Sequence, residues 1–291
     1  MPAVRISTKT LSIKLGTCIL KFDEPKVMGI VNNTPDSFSG DGIGGDVEMA
    51  VARGLAMFDS GASMVDVGGE STRPGAGPVS SDLEMTRTLP VVEQLSRIHP
   101  GRVSIDTMKP EVAEGALFAG AALVNDVSGL RDRRMIDVVA EHDAGAIVMH
   151  MLGEPRTMQV RPRYKDVVED ILQFLSERVE VAETAGVNPR KIMVDPGIGF
   201  GKTLDHNLEI LGRLSEFRAL GKPIVIGVSR KAFIGKLTGQ PTDGRLEGSI
   251  AAALLAVREG ADVVRVHDVP ETVRALKVSS GIISRLPRSR R

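Results

Sequence analysis

Eight short, continuous apolar runs are spread along the 291 residues, and most neighbours are separated by a stretch long enough for a helix. They are Val27–Val31, Met64–Val67, Val103–Ile105, Ala122–Val124, Ala146–Met149, Lys191–Val194, Ile224–Val228 and Val263–Val266. A strand with one wet face alternates apolar and polar residues. An unbroken apolar run is what a strand buried on both faces requires, as in parallel sheets covered by helices. The intervening stretches carry helix signals. Asp46–Ser60 places Val47, Ala50, Val51, Gly54 and Leu55 on one stripe. Ser81-Asp-Leu-Glu84 has the capping-box pattern and opens a helix to about Ile98. Pro110 suits a first helical turn. Asp166–Ala185, Asp205–Ala219 and Arg245–Glu259 are further candidates, and Gly61, Gly120, Gly145, Gly186, Gly221 and Gly260 stand where C-caps belong. Eight β-α units match an eight-stranded parallel (β/α)8 barrel. A doubly wound open sheet stays open, because periodicity does not report closure. Residues 1–25 fall outside the count and read as a short N-terminal β-hairpin split at Gly16, expected to cap the barrel bottom.

Composition narrows the function. Thirty-seven Lys+Arg balance thirty-seven Asp+Glu, which argues against a nucleic-acid binder. With no Trp and one Tyr, Tyr164, stacking platforms for single strands are scarce. One cysteine, Cys18, excludes an internal disulfide and suggests a reducing, cytoplasmic setting. No apolar run approaches the ~18 residues of a membrane span, and MPAVRISTKT lacks a signal core. The basic end, 285–291, reads as a solvated tail, and no interdomain linker interrupts 1–291.

Barrel enzymes place their chemistry at the C-terminal ends of strands, and here those ends are polar. In order they offer Asn32; Asp66 followed by Gly68–Gly75; Asp106; Asn125 and Asp126; His150; Asp195; Ser229-Arg-Lys231; and Arg265-Val-His267-Asp268. One such residue is usually a cap, but eight on one rim imply a site. Asp106, Asn125 and Asp195 should point inward, and the Asp195 carboxylate suits an amino-pyrimidinone edge. Arg265 and His267 share a strand face and form a cationic pair for an anion. Lys231 opens a helix, where backbone N–H groups add positive potential. His150 is balanced between packing and site, while Asp66, Asp126 and Asp268 read as supporting or capping residues. The loops Asn33–Gly45 and Gly68–Ser80 can close over a substrate, with Phe38 in the first and Thr72 and Arg73 in the second. Gly199-Phe-Gly-Lys-Thr203 is not a phosphate loop, because the glycine due six residues before the lysine is Pro196. The five histidines lack helical zinc spacing, and no Ser-His-Asp set surrounds a nucleophile elbow.

Taken together, MGIVNNTPDSFS (28–39), GGESTRPG (68–75), SIDT (104–107), NDVSG (125–129), MHMLGEPRTMQ (149–159), DPGIGFGKT (195–203), GVSRKAFIG (227–235) and RVHDV (265–269) resemble the dihydropteroate synthase family over nearly the whole chain. The resemblance implies a TIM barrel, usually a homodimer, that joins 6-hydroxymethyl-7,8-dihydropterin diphosphate to p-aminobenzoate and is the sulfonamide target. It implies that Asp106, Asn125, Asp195 and Lys231 hold the pterin, with Arg265 over its ring. Arg265 and His267 would bind the diphosphate, and Asn32 would be linked to Mg²⁺. Thr72 and Arg73 would reach the substrate, and Phe38, Pro74 and Phe200 would wall the p-aminobenzoate pocket beside Ala232. The chain departs from the family in three places. Asn33 stands where Val is common, Gly40 and Asp41 are exchanged in the first loop, and Ala232 replaces the Ser of some relatives. Two alternatives remain at this point. One is a corrinoid-linked methyltransferase on the same barrel, against which GGESTRPG, SRK and RVH argue. The other is a pterin-binding paralogue without turnover.

Overall fold

In a computed structural model the chain is described over residues 11–34, 46–71 and 77–285. Two short strands, β1 (Ser12–Leu15) and β2 (Cys18–Lys21), pair as an antiparallel hairpin. The rest alternates: β3 (Lys26–Asn32), α1 (Val47–Asp59), β4 (Met64–Gly68), α2 (Ser81–Ile98), β5 (Val103–Asp106), α3 (Pro110–Phe118), β6 (Leu123–Asp126), α4 (Arg133–Glu141) and β7 (Gly145–Met149). Then follow α5 (Val167–Thr184), β8 (Ile192–Asp195), α6 (Leu204–Gly212), β9 (Val225–Ile226), α7 (Ala232–Thr238), α8 (Leu246–Arg258), β10 (Val263–Val266) and α9 (Val269–Ile283). The sheet runs β8-β7-β6-β5-β4-β3-β10-β9, every pair parallel. A lone parallel bridge, Val194 to Ile224, joins its two ends. The barrel is therefore closed, and the open-sheet alternative falls.

Strand residues alternate between two apolar layers, as the two-residue period demands. Val65, Val67, Ile105, Val124, Val148, Val194 and Val264 face the helix ring. Met28, Met64, Leu123, Ile147, Met193, Val225 and Val263 fill the interior together with Ile13, Leu15 and Leu20 of the hairpin. The hairpin thus plugs the bottom, as expected. It leaves the upper interior to the polar residues that end the strands.

Local sequence explains the helix ends, with three corrections. Asp46 and Asp166 cap α1 and α5 as read, and Pro110 opens α3. The cap of α2 is Ser80, whose hydroxyl accepts from Leu83 N–H, so the capping box from Ser81 to Glu84 does not form. Glu84 is drawn inward instead. The Asp205–Ala219 helix breaks at Gly212, and a 3₁₀ turn over Leu214–Leu220 follows. Gly145 begins a strand rather than capping a helix, and Asp143 takes the left-handed turn there at φ 47°.

Candidate active site

Above the interior methionines lies one connected polar cluster. Asp66 is fully buried on β4, and its Oδ2 accepts from Arg265 Nε at 2.6 Å and from Asn125 Nδ2 at 2.9 Å. Arg265 Nη2 donates to Asp106 Oδ2, also at 2.6 Å. Two carboxylates thus grip the guanidinium from different nitrogens and hold it as a rigid plate in the barrel mouth. Asp66, read from sequence as a supporting residue, is the centre of this network. Burial pushes the Asp106 carboxyl up to about 7, reinforced by Asp66 and opposed by Arg265. Asp195, at the end of β8, accepts from Gly197 N–H at 2.7 Å, and burial raises its pKa too.

Lys231 follows β9 and stands at the start of α7, with its Nζ 4.3 Å from the centre of the Phe200 ring. Burial, with Arg265 nearby, pushes its ammonium down to about 8. His267 Nδ1 lies 3.0 Å from Ser229 Oγ. Burial, then Arg265 and Arg230, push His267 down to about 3. This corrects the expected cationic pair: Arg265 carries the charge and His267 is a neutral imidazole. The mouth therefore brings together Asp106, Asn125, Asp195, Lys231 and Arg265, flanked by Phe200 and His267. Ala232 begins α7 beside Lys231 and is exposed. Phe38, Thr72, Arg73 and Pro74, and the Gly40/Asp41 exchange, lie outside the described residues.

Asn32 ends β3. A Cβ built on Gly68 would lie 3.7 Å from Asn32 Oδ1 and 3.8 Å from Asp106 Oδ2, so glycine leaves a small recess facing both oxygens. Among the described residues no group of three His, Cys, Asp or Glu could chelate a metal. One amide oxygen fits a Mg²⁺ that keeps most of its shell as water and substrate phosphate. Asn33, one of the departures from the family pattern, is fully buried. Its Nδ2 donates to Arg87 O at 2.8 Å, tying the root of the first loop to α2.

Four residues that frame the mouth escaped sequence reading: Lys202, Lys109, Glu70 and Glu84. Lys202 is buried, with Nζ 3.0 Å from His150 Nδ1 and 3.0 Å from Phe200 O. His150 also packs against the rings of Tyr164 and Phe174, and the bond from Lys202 to Phe200 O steadies the loop that carries Phe200. Lys109 Nζ bridges Glu70 (2.6 Å) and the buried Glu84 (2.5 Å), and Glu70 Oε1 accepts from Val79 N–H at 2.9 Å. That clasp joins the two ends of the second loop. Glu84 had a signal, because it sits on the buried stripe Thr88, Val91, Val92 and Leu95. Lys202 had none beyond its glycine-rich surroundings. Asp126, by contrast, does what its reading proposed and accepts from Ser128 and Leu130 N–H in a turn.

Comparison with known proteins agrees with this geometry. The pterin binding enzyme family matches residues 28–267. The dihydropteroate synthase of Escherichia coli K12 is 42% identical over 265 residues, spanning 91% of this chain and 94% of that protein. A Yersinia pestis dihydropteroate synthase, solved in a sulfonamide drug complex, superposes with a TM-score of 0.91 at 39% identity, covering 94% of this chain and all of that one. The Xanthomonas albilineans enzyme in complex with 7,8-dihydropteroate gives 0.84 at 42% identity over 95% of this chain and 100% of that one. With Arg265, Asp106, Asn125, Asp195 and Lys231 gathered at the mouth of a closed barrel, these likenesses identify the chain as a member of the pterin binding enzyme family and, within it, of the dihydropteroate synthases.

Proposed function

We propose that this barrel condenses 6-hydroxymethyl-7,8-dihydropterin diphosphate with p-aminobenzoate, releasing diphosphate and 7,8-dihydropteroate. The observation that carries the reading is the Arg265 plate, held by Asp66 and Asp106 beside Asn125, Asp195 and Lys231. Asp195 and Asn125 offer paired hydrogen-bonding groups to the edge of a flat heterocycle, and the fixed guanidinium covers its face. The reaction breaks the C–O bond between the pterin methylene and diphosphate. Electrons leave with the diphosphate, and the pterin ring spreads the positive charge left behind. Arg265 and Lys231 stabilise the departing anion, and neutral His267 can donate a hydrogen bond to it. The arylamine nitrogen then bonds to the methylene carbon and gives up one proton. Phe200, with Ala232 at the start of α7, borders the space for that ring. Arg73, Thr72, Pro74 and Phe38 belong to the same assignment through their motifs. A Mg²⁺ reached by Asn32 would neutralise diphosphate charge when bound.

A homodimer forms part of this proposal. Leu255, Val278 and Ile282 are more than half exposed on α8 and α9, along a groove of about 860 Å³, and a second copy would cover them. A cytoplasmic setting is also proposed, supported by the single cysteine. No helix of the described residues is long and apolar enough to cross a membrane. The relatives do not favour the methyltransferase alternative. The deciding experiment mixes protein, Mg²⁺, pterin diphosphate and p-aminobenzoate and follows diphosphate and dihydropteroate together. Equimolar products are expected, and Asn32→Ala should raise the Mg²⁺ concentration required. Tight pterin binding without product would leave the non-catalytic reading standing.

A further inference from the structure

Arg230 lies between Ser229, which contacts His267, and Lys231. It is one of four non-glycine residues with positive φ among those described, at 56°. Such a conformation is strained and persists where the surroundings over-determine it. Here Arg245, just before α8, and Ser249, in its first turn, engage both sides of its backbone. Arg230 N–H donates to Ser249 Oγ at 2.8 Å, and Arg230 C=O accepts from Arg245 Nη1 at 3.0 Å. Ser249 Oγ donates in turn to Arg245 O at 2.6 Å. The Arg230 guanidinium donates to both oxygens of Asp268, at 3.1 and 2.5 Å, and Asp268 follows His267 in sequence.

Glycines let α8 come close enough to do this. A Cβ at Gly235 of α7 would meet Arg245 Nη2 at 2.4 Å, and one at Gly248 of α8 would meet Ile234 Cγ2 at 2.3 Å. Ser249 is buried, and its hydroxyl is used entirely in this clamp. The left-handed turn at 230 leads directly into Lys231, the residue that precedes the first turn of α7, with its ammonium over Phe200.

We propose that Ser249 and Arg245 are positioning residues for the reaction: they lock Arg230 in its left-handed turn and so deliver Lys231 to the barrel mouth, with Asp268 keeping His267 in step. The proposal rests on the dihydropteroate synthase reading for its consequence in catalysis, but the clamp itself can be tested apart from it. The loss of one such hydrogen bond should weaken pterin diphosphate binding about five- to tenfold in Ser249→Ala, measured by calorimetry. Ser249→Thr, which keeps the hydroxyl, should bind within about twofold of the parent.

In a Lys231→Met background, Ser249→Ala should change the affinity less than about twofold, because the group it positions is gone. A ¹³C-lysine NMR titration reads the same event without any substrate. Lys231 titrates at about 8 in the parent, facing Arg265, Asp195 and Asp106, and should move toward the ordinary lysine range in Ser249→Ala. Arg245→Met is the second variant for all three measurements. A parent that makes no dihydropteroate would defeat the proposed function while the titration still reports on the clamp. Equal losses with and without Lys231, or an unmoved Lys231 titration in both variants, would overturn the positioning role.

Discussion

Replacing Lys109 by Met tests the clasp beneath the second loop. Met keeps the apolar stem and removes the ammonium that donates to Glu84 at 2.5 Å and to Glu70 at 2.6 Å. Glu84 has no solvent exposure, and its Oε1 has no hydrogen-bond partner within the protein. Removing one member of a buried pair typically destabilises by about 3–5 kcal/mol. Protonation sets a ceiling on that loss. Neutralising a carboxyl of ordinary pKa 4.5 at pH 7 costs roughly 3.4 kcal/mol, from 2.5 pH units at about 1.36 kcal/mol each. At pH 5 the same ceiling is only about 0.7 kcal/mol. Burial already pushes Glu84 up, against the hydrogen bond from Lys109, and losing Lys109 pushes it further. The folded variant then holds a proton that the unfolded chain releases, so its stability falls as pH rises above the ordinary carboxyl range. Urea unfolding followed by circular dichroism should show a deficit of about 3 kcal/mol at pH 7 that shrinks below about 1 at pH 5. Glu84→Gln added to Lys109→Met should recover most of it. A deficit equal at both pH values, or under about 1 kcal/mol at pH 7, would refute the buried-charge argument.

Two further outcomes are expected. Lys231 loses its charge as pH rises through about 8, so pterin diphosphate affinity should fall between pH 7 and 9; Lys231→Met should bind more weakly and without that fall, and calorimetry showing parallel profiles would count against the assignment. Gly197→Ala should lower stability by at least about 2 kcal/mol in the same urea assay, since residue 197 sits at φ 73° and an added Cβ would lie 2.0 Å from His150 O, a backbone atom that cannot step aside; an alanine variant of parental stability would refute this.

Much of the architecture is readable in the sequence because both of its signals are local. Unbroken apolar runs mark doubly buried strands, and the residue after each run falls on the rim. Asp106, Asn125 and Asp195 stand out by that position alone, whereas Lys231 comes three residues after its run and Arg265 lies within the last one. The missing parts depend on partners distant in sequence. Asp66 looks like a supporting acid, yet the chain returns 199 residues later to place Arg265 against it. Glu84 matches a helix-start pattern three residues after a serine, but the neighbouring Ser80 caps the helix and the buried stripe takes the carboxylate to Lys109. His267 keeps its place and loses its expected charge, because its ionisation depends on burial and on Arg265 and Arg230. Neither is visible in a one-dimensional pattern.

Of the eight joints between neighbouring strands, seven are ladders and one is the single rung between Val194 and Ile224. Backbone amides at such a seam are the cheapest in the wall to expose, and native-state exchange should find them opening before the rest of the ring. Asp195 stands on one side of the seam and Lys231 follows the strand on the other. A substrate held by both spans the gap and supplies the rungs that the backbone lacks. On the proposed reading, the pterin fastens the barrel as well as reacting within it, and exchange of the Val194 N–H, which donates across the seam to Pro223 O, should slow when the ligand is bound.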